Sequence, residues 1–126
     1  MKEACLFFKD FLIERDGYLI SSPSNSPEHD HFYIHPVTGE KKRTIITEGA
    51  TMNNEIIYSL FTRTLCACEI LGEKEIFPMI EEVLSKLPPL KISRYGTIAE
   101  WNGDFEETEP GHRHISHLYG LTLQIK

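Results

Sequence analysis

The stretch 51-TMNNEIIYSLFTRTLCACEILG-72 decides how this chain is read. Ile56, Ile57, Leu60, Phe61, Leu65, Cys68 and Leu71 recur at three- and four-residue spacings, which places them on one stripe of a helix. Thr51 or Asn53 supplies an N-cap, Glu55 puts a carboxylate in the first turn, where the helix dipole favours it, and Gly72 stops the helix.

Working outward, a helix is expected from about Lys74 to Lys86, with Phe77, Ile80, Val83, Leu84 and Leu87 on its apolar face. Pro78 fits only its first turn, and 87-LPPL-90 ends it. Upstream, Lys2 to about Glu14 reads as a third helix. Cys5, Phe8 and Leu12, with Leu6 and Ile13, set its spacing, and Phe7 and Phe11 widen the apolar face until it covers most of the helix. Gly17 ends that helix. Tyr18–Ile20 is a short extended piece, 21-SSPSNSPEH-29 a stiff polar loop, Thr38–Gly39 a turn, and Thr44–Thr47 a short strand. Two extended pieces flank Gly96 as a small hairpin. The acidic loop 102-NGDFEETEPG-111 precedes 112-HRHISHLYGL-121, where Ser116 caps a short helix. Three helices joined by such long polar connections form a weak domain. Their apolar faces exceed what the chain can cover, which points to a part of something larger or to self-association through uncovered helix faces.

The chain has 126 residues, enough for one domain, and a net charge of −6 from 19 acidic and 13 basic residues. With no basic stripe to release counterions, nucleic acid and anionic membrane surfaces are not expected partners. No apolar run is long enough to span a bilayer, and Lys9 and Asp10 interrupt the N-terminal apolar segment, so no signal peptide is read there. Cys5, Cys66 and Cys68 are an odd set, which argues against a closed disulfide framework and for core or near-core thiols.

Four features bear on chemistry. Glu28 stands at the end of the serine–proline loop, where Pro23 and Pro27 restrict the backbone. It is either a solvated turn residue or an acid held in place for a substrate. Six histidines cluster as His29, His31, His35 and His112, His114, His117. They lack helical H-x-x-x-H or CxxC spacing, so contacts to a hydroxyl-rich ligand, together with Arg113, are favoured over a zinc module. Trp101 is either a stacking face for a sugar ring or a core plug. Asp104, Glu106, Glu107 and Glu109 read as a solvated acidic face.

The order of these segments resembles the catalytic domain of the α-L-fucosidases of glycoside hydrolase family 95. The resemblance covers residues 1–121 and leaves 122–126 as a divergent tail. It rests on the Ser-Pro-x-x-Ser-Pro-Glu loop ending at Glu28, the Thr-Met-x-Asn start at Thr51, the segment from 87-LPPL-90 to Glu100–Trp101, and 112-HRHISHLYGL-121. It implies an all-α fold with minor β: three to four helices of a partial (α/α)6 toroid, with long loops. It also implies an inverting fucosidase acting on α-1,2-linked fucose in oligosaccharides or glycans, without metal or cofactor.

By the same resemblance Glu28 is the general acid, and His114 and His112 are the first candidates to line the fucose pocket, with Trp101 beside them. The family's base, an Asp, lies in a block beyond HRHxSHLYGL, and its water-activating Asn pair lies upstream. The resemblance therefore makes the chain a middle slice, truncated or frame-shifted after Leu121 and impaired alone. No motif supports Asp104 as a substitute base. Localisation is left open, a secreted or periplasmic bacterial parent being one option. Two other readings stand beside this one: an α-L-galactosidase of the same family, and a non-enzymatic helical remnant.

Overall fold

In the computed structural model, which describes residues 1–122, helix α2 (Thr51–Leu71) is the element against which α1 (Lys2–Phe11), α3 (Phe77–Lys86) and α4 (Tyr119–Thr122) pack. The core is Cys5, Leu12, Ile57, Phe61, Cys68, Ile76, Ile80 and Val83. Ile57, Phe61 and Cys68 of the α2 stripe enter it, with Leu60 and Leu65 packed at its edge. Leu71, at the end of the same stripe, is 80% exposed. Helix α2 ends at Gly72 in a left-handed cap, and Pro78 sits in the first turn of α3.

The expected caps at the start of α2 are replaced by another device. The N-cap residue is Ala50, which has no capping side chain. The Thr51 hydroxyl instead donates to Ala99 O at 2.6 Å, and Thr51 N donates to Glu100 O at 3.1 Å. The helix N-terminus is thereby fastened to the segment that carries Glu100.

The all-α expectation of a partial (α/α)6 toroid does not hold. Among the described residues, four α-helices stand beside two small antiparallel sheets, a mixed α/β arrangement. Strands β1 (Ile13–Arg15) and β2 (Tyr18–Ile20) form one sheet. Strands β3 (His31–Ile34), β4 (Lys41–Thr44) and β5 (Glu106–Glu107) form the other, in the order β4-β3-β5.

Turn chemistry overrides helix periodicity at the first sheet. Helix α1 stops at Phe11 rather than near Glu14, because Asp16 and Gly17 form a two-residue hairpin with φ of 53° and 82°. Positive φ at both central residues suits the twist of a tight hairpin, which is why Asp-Gly favours it. The second sheet is built from the polar sequences Lys41–Thr44 and Glu106–Glu107, whose side chains give little strand periodicity. Thr47, expected in a strand, makes only an isolated bridge with Ser24, and a bridge between Ile92 and Ile98 marks the hairpin at Gly96. Residues 116–118 form a 3-10 turn leading into α4.

Cys5 and Cys68 are buried and Cys66 is exposed, all as free thiols. No helix among the described residues is long and apolar enough to cross a membrane.

Phe61 is fully buried at the centre of the core, whereas Leu71 is solvated. Phe61→Ala is expected to lower unfolding free energy by about 3–5 kcal/mol, and Leu71→Ala to change it by less than about 0.5 kcal/mol. Urea denaturation of both variants checks the placement, and equal effects would contradict it.

Candidate active site

The serine–proline loop is anchored through alternate residues. Ser21, Ser24, Ser26 and His29 are buried while Asn25 and Glu28 face outward. The Ser24 hydroxyl accepts from Ala50 N at 3.1 Å and Asn53 Nδ2 at 2.8 Å, and its backbone pairs with Thr47 in both directions. Behind the loop, Gly49 N donates to Ser21 O, with Gly49 at φ 58°. A Cβ there would lie 3.3 Å from both Asn102 Cβ and Ile20 Cβ, so a side chain would be crowded as well as strained. The Ser24 hydroxyl, with the Ser21 and Ser24 backbone, therefore holds the loop in one shape.

Glu28 occupies a turn. His29 N donates to Ser26 O at 3.2 Å, closing Ser26–His29 with Pro27 second and Glu28 third. Glu28 has φ 58°, the left-handed region that glycine normally supplies at the third position of such a turn.

Both ends of that turn are fixed by one carboxylate. Glu100, 6% exposed, accepts from Ser26 Oγ at 2.5 Å on Oε1 and from His29 Nδ1 at 2.8 Å on Oε2. His117 Nδ1 lies 3.4 Å from the same Oε2, near enough for ionic attraction but off hydrogen-bond alignment. Burial opposes ionisation of Glu100, but His117, Ser26 and His29 together outweigh it and hold the carboxyl at about 2. Its closeness to Glu100 raises His117 above its ordinary value against the effect of burial, with Glu107 and Glu55 adding to the rise.

Glu28 itself projects from the turn. Its carboxylate meets Arg113 Nη2 at 2.7 Å and His114 Nε2 at 3.6 Å, while His114 Nδ1 lies 3.2 Å from Pro27 O. The loop and the 112-HRHISH-117 segment, 85 residues apart for the Glu28–Arg113 pair, thus meet at one place. A cleft of about 210 Å³ beside them is bordered by Glu28, His29, Asp30, Arg43, Thr108, Glu109 and His112.

His112 stacks on His29 with ring centroids 4.5 Å apart. Trp101 lies beneath, 3% exposed, its ring against His29 and His31, and its indole Nε1 has no protein partner. Stacking on a sugar would require one of those histidines to move away from it. His31 is buried on β3 against Phe105, and burial lowers its pKa.

Asp104 is engaged elsewhere, its carboxylate paired with Arg94 at 3.2 Å. Among the described residues no three His, Cys, Asp or Glu side chains are placed to hold a metal ion. A larger cleft of about 370 Å³, bordered by Glu55, Tyr58, Leu87 and Ile98, contains none of the loop residues. Glu100 was not singled out from the sequence. The available signal was a lone acid between apolar neighbours in 98-IAEW-101, where an ionisable group is buried only with partners.

The paired charges set a pH dependence. Glu100 falls from its ordinary 4.5 to about 2 on folding, so its stabilisation is complete above pH 4.5 and is lost as pH drops toward 2. His117 is raised above its ordinary 6.5, so its share is complete below pH 6.5 and is lost as pH climbs through the folded value. The contribution of this pair to the urea midpoint is therefore expected to peak between pH 4.5 and 6.5, with an acid-side loss of about 3 kcal/mol. Glu100→Gln should flatten both limbs. A wild-type midpoint indifferent to pH would contradict this pairing.

Comparison with known proteins adds the family. The family model described as "Glycosyl hydrolase family 95 catalytic domain" matches residues 1–123. The chain is 40% identical over 123 residues to alpha-L-fucosidase 2 of Arabidopsis thaliana, covering 94% of this chain and 14% of that protein. It is 31% identical to the probable alpha-fucosidase A of Aspergillus niger, covering 95% of this chain and 15% of that protein. The chain thus spans about a seventh of the length of these relatives. With a match across 1–123 that includes both the Glu28 loop and the 112–117 segment meeting it, the chain belongs to glycosyl hydrolase family 95, as part of its catalytic domain.

Proposed function

We propose that the chain carries the acid half of an α-L-fucosidase site, with Glu28 as general acid and His112 and His114 as sugar contacts. The observation that carries this reading is the meeting of Glu28 with Arg113 and His114, with Glu28 and His112 bordering a polar cleft. A carboxylic acid at the tip of a fixed turn can reach a glycosidic oxygen, which a buried carboxylate such as Glu100 cannot. The Arg113 contact does not lock it away. Both partners are largely solvent-exposed, and such pairs contribute no more than about 1 kcal/mol, so an entering sugar can displace the guanidinium.

In the inverting mechanism proposed here, Glu28 protonates the departing oxygen while a base on the opposite face of the ring activates water, at ~6.5–9.5 Å from the acid. The resemblance puts that base beyond the matched motifs, and this chain's own contribution is the acid and its surroundings. The substrate in this reading is α-1,2-linked L-fucose at the end of an oligosaccharide or glycan. Imidazole and guanidinium donors from 112-HRH-114 suit its hydroxyls, and an α-L-galactoside differs from it only by one added hydroxyl. Removing the acid's proton should cost about 10²–10⁴ in rate. In a protein that joins this stretch to the base-bearing remainder of the catalytic domain, Glu28→Gln is expected to lower hydrolysis of an aryl α-L-fucoside with a poor leaving group by that factor, and the unsubstituted protein to release the β-anomer first, as seen by proton NMR. Activity indifferent to Glu28→Gln would remove the acid assignment, and release of the α-anomer would remove the inverting mechanism.

A second reading, association through helix α1, rests on its uncovered aromatic residues. Phe7 is 59% exposed and stacks on Phe11 at 5.6 Å, with Leu6 37% exposed beside them. Phe7→Ser is expected to shift the chain toward monomer in sedimentation velocity. A wild-type chain already monomeric at high concentration would dismiss this reading.

A further inference from the structure

We propose that Glu100 is the positioning residue of the Glu28 turn, holding the acid's backbone in the left-handed conformation through the residues on either side of it. This inference rests on the reading of Glu28 as the acid and adds a residue that acts on it without touching the substrate.

Glu28 has no glycine-like freedom, yet it takes a φ of 58° at the third position of Ser26–His29. Within the turn, one hydrogen bond of 3.2 Å from His29 N to Ser26 O is the only backbone closure. Glu100 supplies a second closure from outside. Its two carboxylate oxygens bind the side chains of the first and fourth residues of the turn, Ser26 and His29, at 2.5 and 2.8 Å. A single rigid group thereby fixes the separation of the turn's ends.

Glu100 is itself immobilised. Its carbonyl accepts from Thr51 N at the start of α2, and the neighbouring Ala99 is bonded through its N–H to Lys91 O and through its carbonyl to the Thr51 hydroxyl. From that anchored point Glu100 also faces His117, in the segment that brings Arg113 and His114 to Glu28. One buried carboxylate therefore sets the acid's turn and approaches the segment that surrounds the acid.

Amide hydrogen exchange on the whole chain, read residue by residue, tests this in Glu100→Gln and in Ser26→Ala, which removes one arm and keeps the charge. The expected result is faster exchange at the His29 amide by about tenfold, the scale of one charge-assisted hydrogen bond, with the Phe61 amide of α2 unchanged. If Glu100→Gln fails to fold, Ser26→Ala carries the test. Unchanged exchange at His29, or an equal rise at His29 and Phe61, would overturn the positioning role.

Rates separate this from the parent reading. Glu100→Gln should slow an aryl fucoside with a poor leaving group, as Glu28→Gln does, and spare α-L-fucosyl fluoride, whose departing fluoride needs no proton. Loss of both substrates alike would also overturn positioning. These rates are read in a protein that joins this stretch to the base-bearing remainder of the catalytic domain; if that protein without substitutions cleaves neither substrate, the fucosidase reading falls, while the exchange result still decides whether Glu100 holds the turn.

Discussion

A carboxylate removed from water is tolerated only where donors surround it, and in this chain that requirement falls on Glu100. Left unpaired, a buried charge costs several kcal/mol, far more than an ordinary surface contact returns. Ser26 and His29 meet the requirement with hydrogen bonds, and His117 adds ionic attraction from a second direction. The carboxylate thus draws together a loop near residue 26 and the histidine segment after residue 111, and the backbone of the same segment as Glu100 fastens the start of α2, none of which are neighbours in sequence. The small sheets and the helix core hold these pieces at the right distance, but the polar contact decides how the loop and the segment face one another.

The energetics of the turn follow from the same contact. A non-glycine residue in the left-handed region costs roughly 1–2 kcal/mol. Hydrogen bonds to a charged acceptor contribute about 1.5–3 kcal/mol each, and Glu100 accepts two aligned ones from the ends of the turn. The gain exceeds the cost, so the conformation of Glu28 is over-determined by its surroundings. Ser24 adds to this from the other side, since its hydroxyl serves both Ala50 N and Asn53 Nδ2.

Much of the helical layout was legible because it rests on spacing. The α2 stripe, its stop at Gly72 and the placement of Pro78 follow from periodicity and backbone restriction, and the structure agrees except at Leu71, which the stripe leaves in solvent. What was illegible has physical causes. The end of α1 was read through Ile13 because apolar spacing continues there, although Asp16–Gly17 carried a hairpin signal that outweighs it. Strands such as Lys41–Thr44 are held by backbone pairing rather than by a buried face, so no periodicity announces them, and the all-α expectation failed on that account. At the site, Glu28 came from its motif, whereas Glu100 was passed over because a single letter in a short segment does not reveal that it will be buried. Trp101, read as either a stacking face or a core plug, lies under His29 and His31 for a related reason: its burial depends on a sheet the sequence did not announce.

In the proposed reading the two glutamates differ by environment rather than by chemistry. Glu100 is enclosed, multiply bonded and held ionised at about 2. It cannot exchange a proton with a substrate without giving up the contacts that fix the loop. Glu28 stands outside that enclosure on a turn whose ends do not move, with partners that water can replace. An acid has to be placed to a fraction of an ångström and yet be free to lose its proton. One carboxylate cannot easily meet both demands, because the bonds that would fix it also stabilise its ionised form. With Glu28 as the proposed acid, the demands fall on separate residues, the rigid carboxylate holding the backbone of the exposed one.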